Sequence, residues 1–561
     1  MNFNDINYER TDYNRVKDIY EKALTNIRSS KDFDEVKSTI ESLNKTRVHL
    51  QTMKEVASIK YSINTKDDYF VGENQYWDEY GPLYQDLDYN LYQTLLSIGF
   101  KDQIIEEYGR QFYSLMECQV KSFSKDIIGL LQEENRLMSD YTGLLASAKI
   151  DFAGRVCNLS DMNFYMESLD DKVREEAIRA HTGFFEENED RFDQLFDSLV
   201  NIRHQMALKM GYKSFIDLGY YRMQRTDYNR DMVANLRENV LAKYSKKVHA
   251  LYEAQAQRIG RDKIDYFCER IEFLDGNAEP KGDSKEIFEA GRAMYSSLSK
   301  ETQEFFDFLF SKGLFDVEAR ENKAMGGYCT VLPEYKMPFI FANFNGTVDD
   351  IDVLTHEAGH AFQMYMSRHI DMPELIFPTL DSCEIHSMSM EFFTYPWMDL
   401  FFGQDVEKYK TYHYGSAIKF LPYGCLVDHF QHEIYENPDM SPDQRKATWL
   451  RLENKYLPYR DYGDLGILNR GGYWFRQGHI YKDPFYYIDY TLAQVCAFQY
   501  LLKYLDNKEE TLKEYITLCK AGGSESFFKL LEIGKLKNPM NTDILEEITP
   551  KLEELLNSIK I

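Results

Sequence analysis

The sequence predicts a mainly α-helical protein with one small β-sheet. Of its 561 residues, 43% are hydrophobic and 15% are aromatic, which is enough for a large core and too many for a disordered chain. Glycine and proline, which dominate turns, number 30 and 14. Apolar side chains also recur every three or four positions along most of the chain, the spacing of an amphipathic helix. These three features favour helices.

Helical patterning covers residues 14–315 and returns from Val348 to the C-terminus. Between these regions glycine and proline become frequent, and a short apolar run, Phe339–Phe344, ends at Asn345 and Gly346. A run this short is typical of a strand, and Asn-Gly is typical of a turn. We therefore expect a strand of a small sheet directly before the second helical region.

The charge of the chain excludes two classes of partner. Lysine and arginine number 66 against 92 aspartates and glutamates, which gives a formal net charge of −26. So acidic a protein is repelled by nucleic-acid phosphates and by anionic lipid headgroups. We expect no nucleic-acid partner and no membrane partner.

The cysteines indicate a reducing compartment. The eight residues are scattered, with no C-x-x-C pair, as in proteins with reduced and buried thiols. The first 22 residues contain no apolar segment of the kind found in signal peptides. We expect a soluble, cytoplasmic protein.

An H-E-x-x-H motif begins the second helical region. Thr347 and Asp350, three residues apart, predict a capping box at the start of a helix. Four residues separate His356 from His360, so both imidazoles project from one face and can share a Zn²⁺ ion. Glu357 is placed to accept a proton from a water molecule at that metal. The motif predicts one zinc site per chain.

A catalytic zinc site needs a third protein ligand. The known spacings fail, because the metzincin position holds Met366, and the positions that thermolysin-like and aminopeptidase-like enzymes use hold Thr379 and Leu380. Glu374 lies in a connection bounded by prolines, a poor place for a rigid ligand.

Glu384 is the preferred third ligand. It falls in the first turn of a helix that we predict to begin near Thr379 or Asp381 and to end before Pro396. Glu391 and His386 remain alternatives, and Glu391 could instead orient a ligand from behind. A second histidine pair, His429 and His432, has no third ligand at a usable distance and favours a hydrogen-bonded pair.

Hydrolysis of an amide also needs a group that stabilises the oxyanion. Asp483 and Pro484 predict the start of a helix that runs to about Tyr504. Opposite its apolar face lie Tyr487 and Tyr490, with Tyr486 flanking them. Tyr490 and the upstream His479 are candidates for this role, although exposed tyrosines and structural histidines are also common in proteins.

Three segments resemble the thimet oligopeptidase and oligoendopeptidase F family of zinc metallopeptidases, and are most similar to its bacterial oligoendopeptidase F-like branch. They are residues 326–362, which contain the motif, residues 384–391 and residues 477–494. The resemblance implies a helical ellipsoid with a deep substrate channel between two helical halves. We expect residues 1–200 to form one wall of the channel and residues 201–561 to form the catalytic region.

The resemblance also implies roles for individual residues. The zinc ligands would be His356, His360 and Glu384, and Glu357 would be the general base. Tyr490 and His479 would lie over the scissile carbonyl, and Tyr487 would contact the substrate.

Two further groups are expected to bind the substrate. The strand Phe339–Phe344 would offer its backbone to an extended peptide by β-augmentation. On the other side, Gly327 would allow close approach of the peptide backbone.

The sequence thus predicts a zinc-dependent endopeptidase that hydrolyses internal bonds of short, unfolded oligopeptides. Two alternatives remain. A helical zinc carboxypeptidase would need a basic residue near the metal to bind the terminal carboxylate. A non-catalytic peptide-binding protein would contain no zinc.

Overall fold

Helices dominate the computed structural model, which describes residues 2–559, so the predicted mainly α-helical class is confirmed. The helices before the larger sheet are α1 Tyr13–Ser29, α2 Phe33–Ile63, α3 Asp68–Ser97, α4 Lys101–Ser122, α5 Ile128–Ala146, α6 Leu159–Met166, α7 Asp171–Glu187, α8 Glu189–Lys209, α9 Phe215–Arg222, α10 Arg230–Arg258, α11 Ser284–Leu298 and α12 Lys300–Lys312.

A second series of helices follows the sheet. It comprises α13 Asp349–Ser367, α14 Pro373–Ile376, α15 Leu380–Phe393, α16 Asp399–Phe402, α17 Val406–Glu436, α18 Pro442–Tyr456, α19 Gly466–Asn469, α20 Gly478–Lys482, α21 Tyr487–Asp506, α22 Lys508–Ala521, α23 Phe527–Ile533 and α24 Thr542–Ser558. No helix within residues 2–559 has both the length and the apolar character needed to cross a membrane.

The first four helices have a hydrophobic core of their own. Its buried side chains run from Val16 in α1 to Met116 in α4, joined by Met372 and Leu375 from the region of α14. Most other buried apolar side chains form one larger core. Aspartate N-caps begin several of these helices, as at Asp12, whose carboxylate accepts two backbone N–H groups of α1.

The predicted strand is present, but it lies in the middle of its sheet. Strands β1 Ile150–Phe152 and β2 Arg155–Cys157 form a separate hairpin, whereas β3 Phe315–Glu318, β4 Tyr328–Leu332 and β5 Met337–Phe344 form a sheet in the order β3-β5-β4. Strand β5 pairs in parallel with β3 and antiparallel with β4.

The expectation that Phe339–Phe344 offers its backbone to a peptide is therefore wrong. Strand β5 pairs with β4 on one edge up to Phe341 and with β3 on the other edge up to Phe344, so most N–H and C=O groups of this run are used within the sheet. The edge strands are β3 and β4, and sequence analysis did not identify β4 because its residues follow Gly326 and Gly327 in a stretch rich in turn residues.

The capping box predicted at Thr347 and Asp350 is also wrong. Helix α13 begins at Asp349, and its N-cap, Val348, provides no side-chain cap. The carboxylate of Asp350 instead accepts the backbone N–H groups of Asn345 and Gly346, each at 2.8 Å. The Asp350 carboxylate therefore stabilises the turn before the helix and does not take part in a capping box.

The boundaries of α15 agree with the prediction, whereas those of α21 do not. Phe485 has a φ of +71°, in the left-handed region, and this breaks the helix predicted to start at Asp483. Helix α21 begins at Tyr487. His479, expected in a loop, lies in the short helix α20.

Candidate active site

Helices α13 and α15 pack face to face and bring the predicted metal ligands together. Gly359 lies between the two motif histidines, and a Cβ atom there would come within 2.6 Å of the Ser387 Cα atom and 2.7 Å of the His386 carbonyl oxygen. Only glycine permits so close an approach of the two backbones. The motif thereby meets the helix that carries Glu384.

The three predicted ligands meet at one point. The Nε2 atoms of His356 and His360 each lie 3.1 Å from the same carboxylate oxygen, Oε2 of Glu384. One ligand atom from each residue lies within 4.8 Å of the others, and no other such group of three occurs within residues 2–559. Two imidazole nitrogens and a carboxylate oxygen are a donor set suited to a divalent metal ion with an open coordination position.

The alternative ligands lie elsewhere. Glu391 accepts a hydrogen bond from Nδ1 of His356 at 2.6 Å, on the side of the ring away from Glu384. It also contacts Nε2 of His413 at 2.8 Å. Burial alone would raise the pKa of Glu391, but these hydrogen bonds lower it. His386 is buried with its Nδ1 atom 3.5 Å from Cys519 Sγ.

Glu357 lines the same cavity as the ligands and has a free carboxylate oxygen. Its Oε2 atom is buried and has no hydrogen-bond partner, and burial raises the pKa of the carboxyl group. Gly327 lies beside it, since a Cβ atom at Gly327 would be 3.3 Å from Glu357 Oε1. Gly327 also lines the cavity.

Two of the predicted groups face the metal site across this cavity, which measures about 500 Å³. The Tyr490 hydroxyl lies 3.1 Å from Nε2 of His479. Burial raises the pKa of Tyr490 well above its ordinary value and lowers that of His479, so the phenol keeps its proton and the imidazole is neutral.

Tyr486 also belongs to the site, although sequence analysis placed it only beside the other tyrosines. Its hydroxyl donates to Glu384 Oε1 and lies 3.2 Å from Cys383 Sγ. Tyr486 precedes Tyr490 by four residues, so a helix places both side chains on the same face, and this spacing could have identified Tyr486 from the sequence.

Tyr487 does not line this cavity. Its ring packs 5.7 Å from the rings of Phe420 and Tyr423, two residues that line a second cavity of about 300 Å³. Its role as a substrate contact stays a prediction.

The N-terminal half provides part of the wall of the site cavity. Tyr141, Thr142 and Leu145 of α5 line it opposite the metal-site residues. The edge strand β4 contributes Tyr328 and Cys329.

The two histidines of the pair outside the site each make hydrogen bonds to other residues. His432 contacts the Tyr220 hydroxyl at 3.1 Å and Arg237 at 3.2 Å, and His429 contacts the Tyr456 hydroxyl at 3.0 Å.

Comparison with protein families identifies this arrangement. The model of peptidase family M3 matches residues 164–550, and that of the peptidase M3 N-terminal domain matches residues 3–123. The chain belongs to peptidase family M3. This membership confirms the resemblance seen in the sequence. It also confirms the predicted enzyme class, a metallo-endopeptidase. Membership also implies a metal cofactor and peptide substrates.

Three solved structures share the whole fold. The chain is 44% identical to a protein provisionally named oligoendopeptidase F and 44% identical to PZ peptidase A with an inhibitor, each with a TM-score of 0.99. It is 43% identical, with a TM-score of 0.94, to a protein from Bacillus anthracis provisionally named oligoendopeptidase F. Each match covers 100% of this chain and 99% of the other. No curated protein matches the sequence.

Proposed function

We propose that this M3 peptidase is a zinc-dependent enzyme that hydrolyses internal bonds of short oligopeptides. The observation that carries the proposal is the convergence of His356, His360 and Glu384 in one cavity with the free carboxylate oxygen of Glu357. These three ligands suit zinc, which when bound supplies a Lewis acid and activates water near neutral pH. The names of the similar structures support the choice of oligopeptides as substrates.

The residues around the metal site divide the work of hydrolysis. Glu357 accepts a proton from water at Oε2, and the resulting hydroxide adds to the scissile carbonyl carbon. The C–N bond then breaks, and Glu357 returns the proton to the leaving amine. A carboxyl group whose pKa is raised by burial is suited to carry a proton in both directions.

Tyr490 stabilises the charge that develops on the carbonyl oxygen. Its protonated hydroxyl can donate a hydrogen bond to the oxyanion, and His479, at 3.1 Å, holds the phenol in place. Tyr486 and Glu391 act through the ligands, since they hydrogen-bond to Glu384 and His356.

The edge strand β4 is placed to bind an extended peptide. Its antiparallel partner β5 lies on one side only, and Tyr328 and Cys329 reach the site cavity. Main-chain hydrogen bonds to β4 would fix a peptide beside Glu357 whatever its side chains. A cavity of about 500 Å³ has room for short peptide segments and none for a folded domain.

A cytoplasmic location is part of the proposal. All eight cysteines are free thiols, and seven of them are buried, which suits a reducing compartment.

One experiment tests the reaction and the general base together. A quenched peptide blocked at both ends is digested by wild-type protein and by Glu357→Gln, with zinc content measured in both. We expect internal cleavage by the wild type and a loss of kcat of about 10³-fold or more in the variant, which should keep its zinc. No cleavage of the blocked peptide, together with removal of C-terminal residues from its unblocked form, would instead favour a carboxypeptidase, and full activity of zinc-loaded Glu357→Gln would exclude Glu357 as the base.

A further inference from the structure

Arg476 lies where two cavities meet. It ends the short turn Tyr473–Arg476 and precedes His479 by three residues. It lines both the site cavity and the second cavity, and is the residue that the two linings share. A group in this position can contact a peptide that extends from the metal site into the second cavity.

The positive charge of Arg476 has no carboxylate partner within residues 2–559. No acidic oxygen lies within 4.0 Å of its guanidinium, and the groups that perturb its pKa are tyrosines and another arginine. Its Nη1 atom donates to the Tyr266 hydroxyl at 2.9 Å, and its Cζ atom lies 4.5 Å from the centre of the Tyr473 ring. The tyrosines orient the guanidinium without neutralising it.

The other cations of the second cavity are all paired. Each forms an ion pair with a glutamate: Arg270 with Glu167 at 3.5 Å, Arg460 with Glu269 at 2.9 Å, and Lys419 with Glu272 at 3.0 Å. Among the residues that line this second cavity, Arg476 is thus the cation without a carboxylate within 4.0 Å in the described chain. Removing it from water is costly unless an anion compensates.

We propose that Arg476 binds a carboxylate of the peptide substrate and so selects peptides by the distance of that group from the scissile bond. The inference rests on the proposed peptidase function of the same cavity. The carboxylate belongs either to the C-terminus or to an aspartate or glutamate side chain. A guanidinium can bind a carboxylate from either source through two parallel N–H···O bonds. These bonds fix the orientation of the carboxylate and compensate its charge.

The first test compares peptides that share one scissile bond and differ in one carboxylate. They are a free acid, its C-terminal amide, and amides with Glu or Gln at successive positions. We expect wild-type kcat/KM to be about tenfold or more higher for the carboxylate peptide than for its neutral match. A preference lost on amidation identifies the C-terminus, and one that follows the position of Glu identifies a side chain.

Variants assign the preference to Arg476. In Arg476→Gln the ratio of the two kcat/KM values should fall to about one, and in Arg476→Lys, which keeps the charge but not the planar fork, it should be intermediate. Lys482→Gln is the matched control, since Lys482 lines the site cavity but is exposed to solvent. It should keep the wild-type ratio. A wild-type ratio near one, or an unchanged ratio in Arg476→Gln, would overturn the proposal.

Binding measurements separate this inference from the proposed reaction. Dissociation constants of the free acid and the amide are measured by calorimetry with zinc-loaded Glu357→Gln, alone and combined with Arg476→Gln. We expect the acid to bind about tenfold or more tightly only when Arg476 is present. Because this readout needs no hydrolysis, equal binding of the two peptides would contradict the role of Arg476 even if the wild type cleaves both.

Discussion

Glu391 accepts a hydrogen bond from His356, with 2.6 Å between Nδ1 and Oε1, and this leaves the Nε2 atom of the ring facing Glu384. Glu391 and Glu384 lie on one helix, seven residues apart, so a single rigid element carries a metal ligand and the group that orients another. A carboxylate behind a ligating histidine fixes its tautomer and makes the ring a better ligand.

Removal of this carboxylate should weaken the metal site. Glu391→Gln is expected to lower zinc affinity about 10- to 100-fold, measured by competition with a chelator of known affinity. Glu514→Gln is the control, because Glu514 is also buried but pairs with Lys503 and not with a metal ligand. The zinc affinity of this variant should match that of the wild type. Wild-type affinity in Glu391→Gln would contradict the assignment.

The two site tyrosines should differ in what their loss affects. Tyr490→Phe is expected to lower kcat about 10²- to 10³-fold without changing zinc affinity, because its hydroxyl bonds to His479 and Tyr490 lines the cavity proposed to bind the substrate. Tyr486→Phe removes a hydrogen bond to Glu384 and should weaken zinc binding. Both quantities are measured in both variants, and the reverse pattern would exchange the two roles.

Gly359→Ala should force α13 and α15 apart. Its Cβ atom would meet backbone atoms of α15 at 2.6 and 2.7 Å, which flexible side chains cannot relieve. We expect a free energy of unfolding lower by about 1–3 kcal/mol and weaker zinc binding. Gly183→Ala, in an open position of α7, should be neutral or slightly stabilising. Equal midpoints of urea denaturation for the two variants would show that no close approach exists.

A buried ion pair outside the metal site predicts a pH dependence of stability. Glu134 is fully buried with Arg203 at 2.6 Å and contacts Arg222 at 2.9 Å. Burial alone would raise the pKa of Glu134, but the two arginines lower it below its ordinary value of 4.5. Its contribution to stability is therefore present above that pH and is lost as the pH falls through the lower folded-state value.

The variant Glu134→Gln tests this dependence. At pH 7 it should lower the free energy of unfolding by about 3–5 kcal/mol, because Arg203 is left buried without its partner. The difference from wild type should shrink as the pH falls below 4.5. Glu133→Gln, which removes a solvent-exposed pair with Arg136, should cost at most about 1 kcal/mol. A difference that grows on acidification would have the wrong sign.

The sequence predicted what depends on helical periodicity. The four-residue spacing of His356 and His360 and the span of α15 both follow from 3.6 residues per turn, and the structure brings Glu384 to the two histidines. The roles of these residues in catalysis stay predictions. So does the division at residue 200, although the core of α1–α4 groups the first part of the chain separately.

What the sequence could not predict depends on local breaks and on strand order. The left-handed φ of Phe485 moved the start of α21, and a periodic pattern contains no trace of such a break. The pairing of β5 on both edges is a property of the sheet rather than of Phe339–Phe344. The missing carboxylate partner of Arg476 is visible only when the surrounding side chains are in place.

We propose that one zinc ion is held by His356, His360 and Glu384. Metal analysis by mass spectrometry of dialysed wild-type protein and of Glu384→Ala tests it most directly. We predict one zinc per chain in the wild type and a loss of zinc from the variant at the same free zinc concentration. Wild-type protein without a stoichiometric metal, or a variant that retains zinc with unchanged affinity, would contradict the claim.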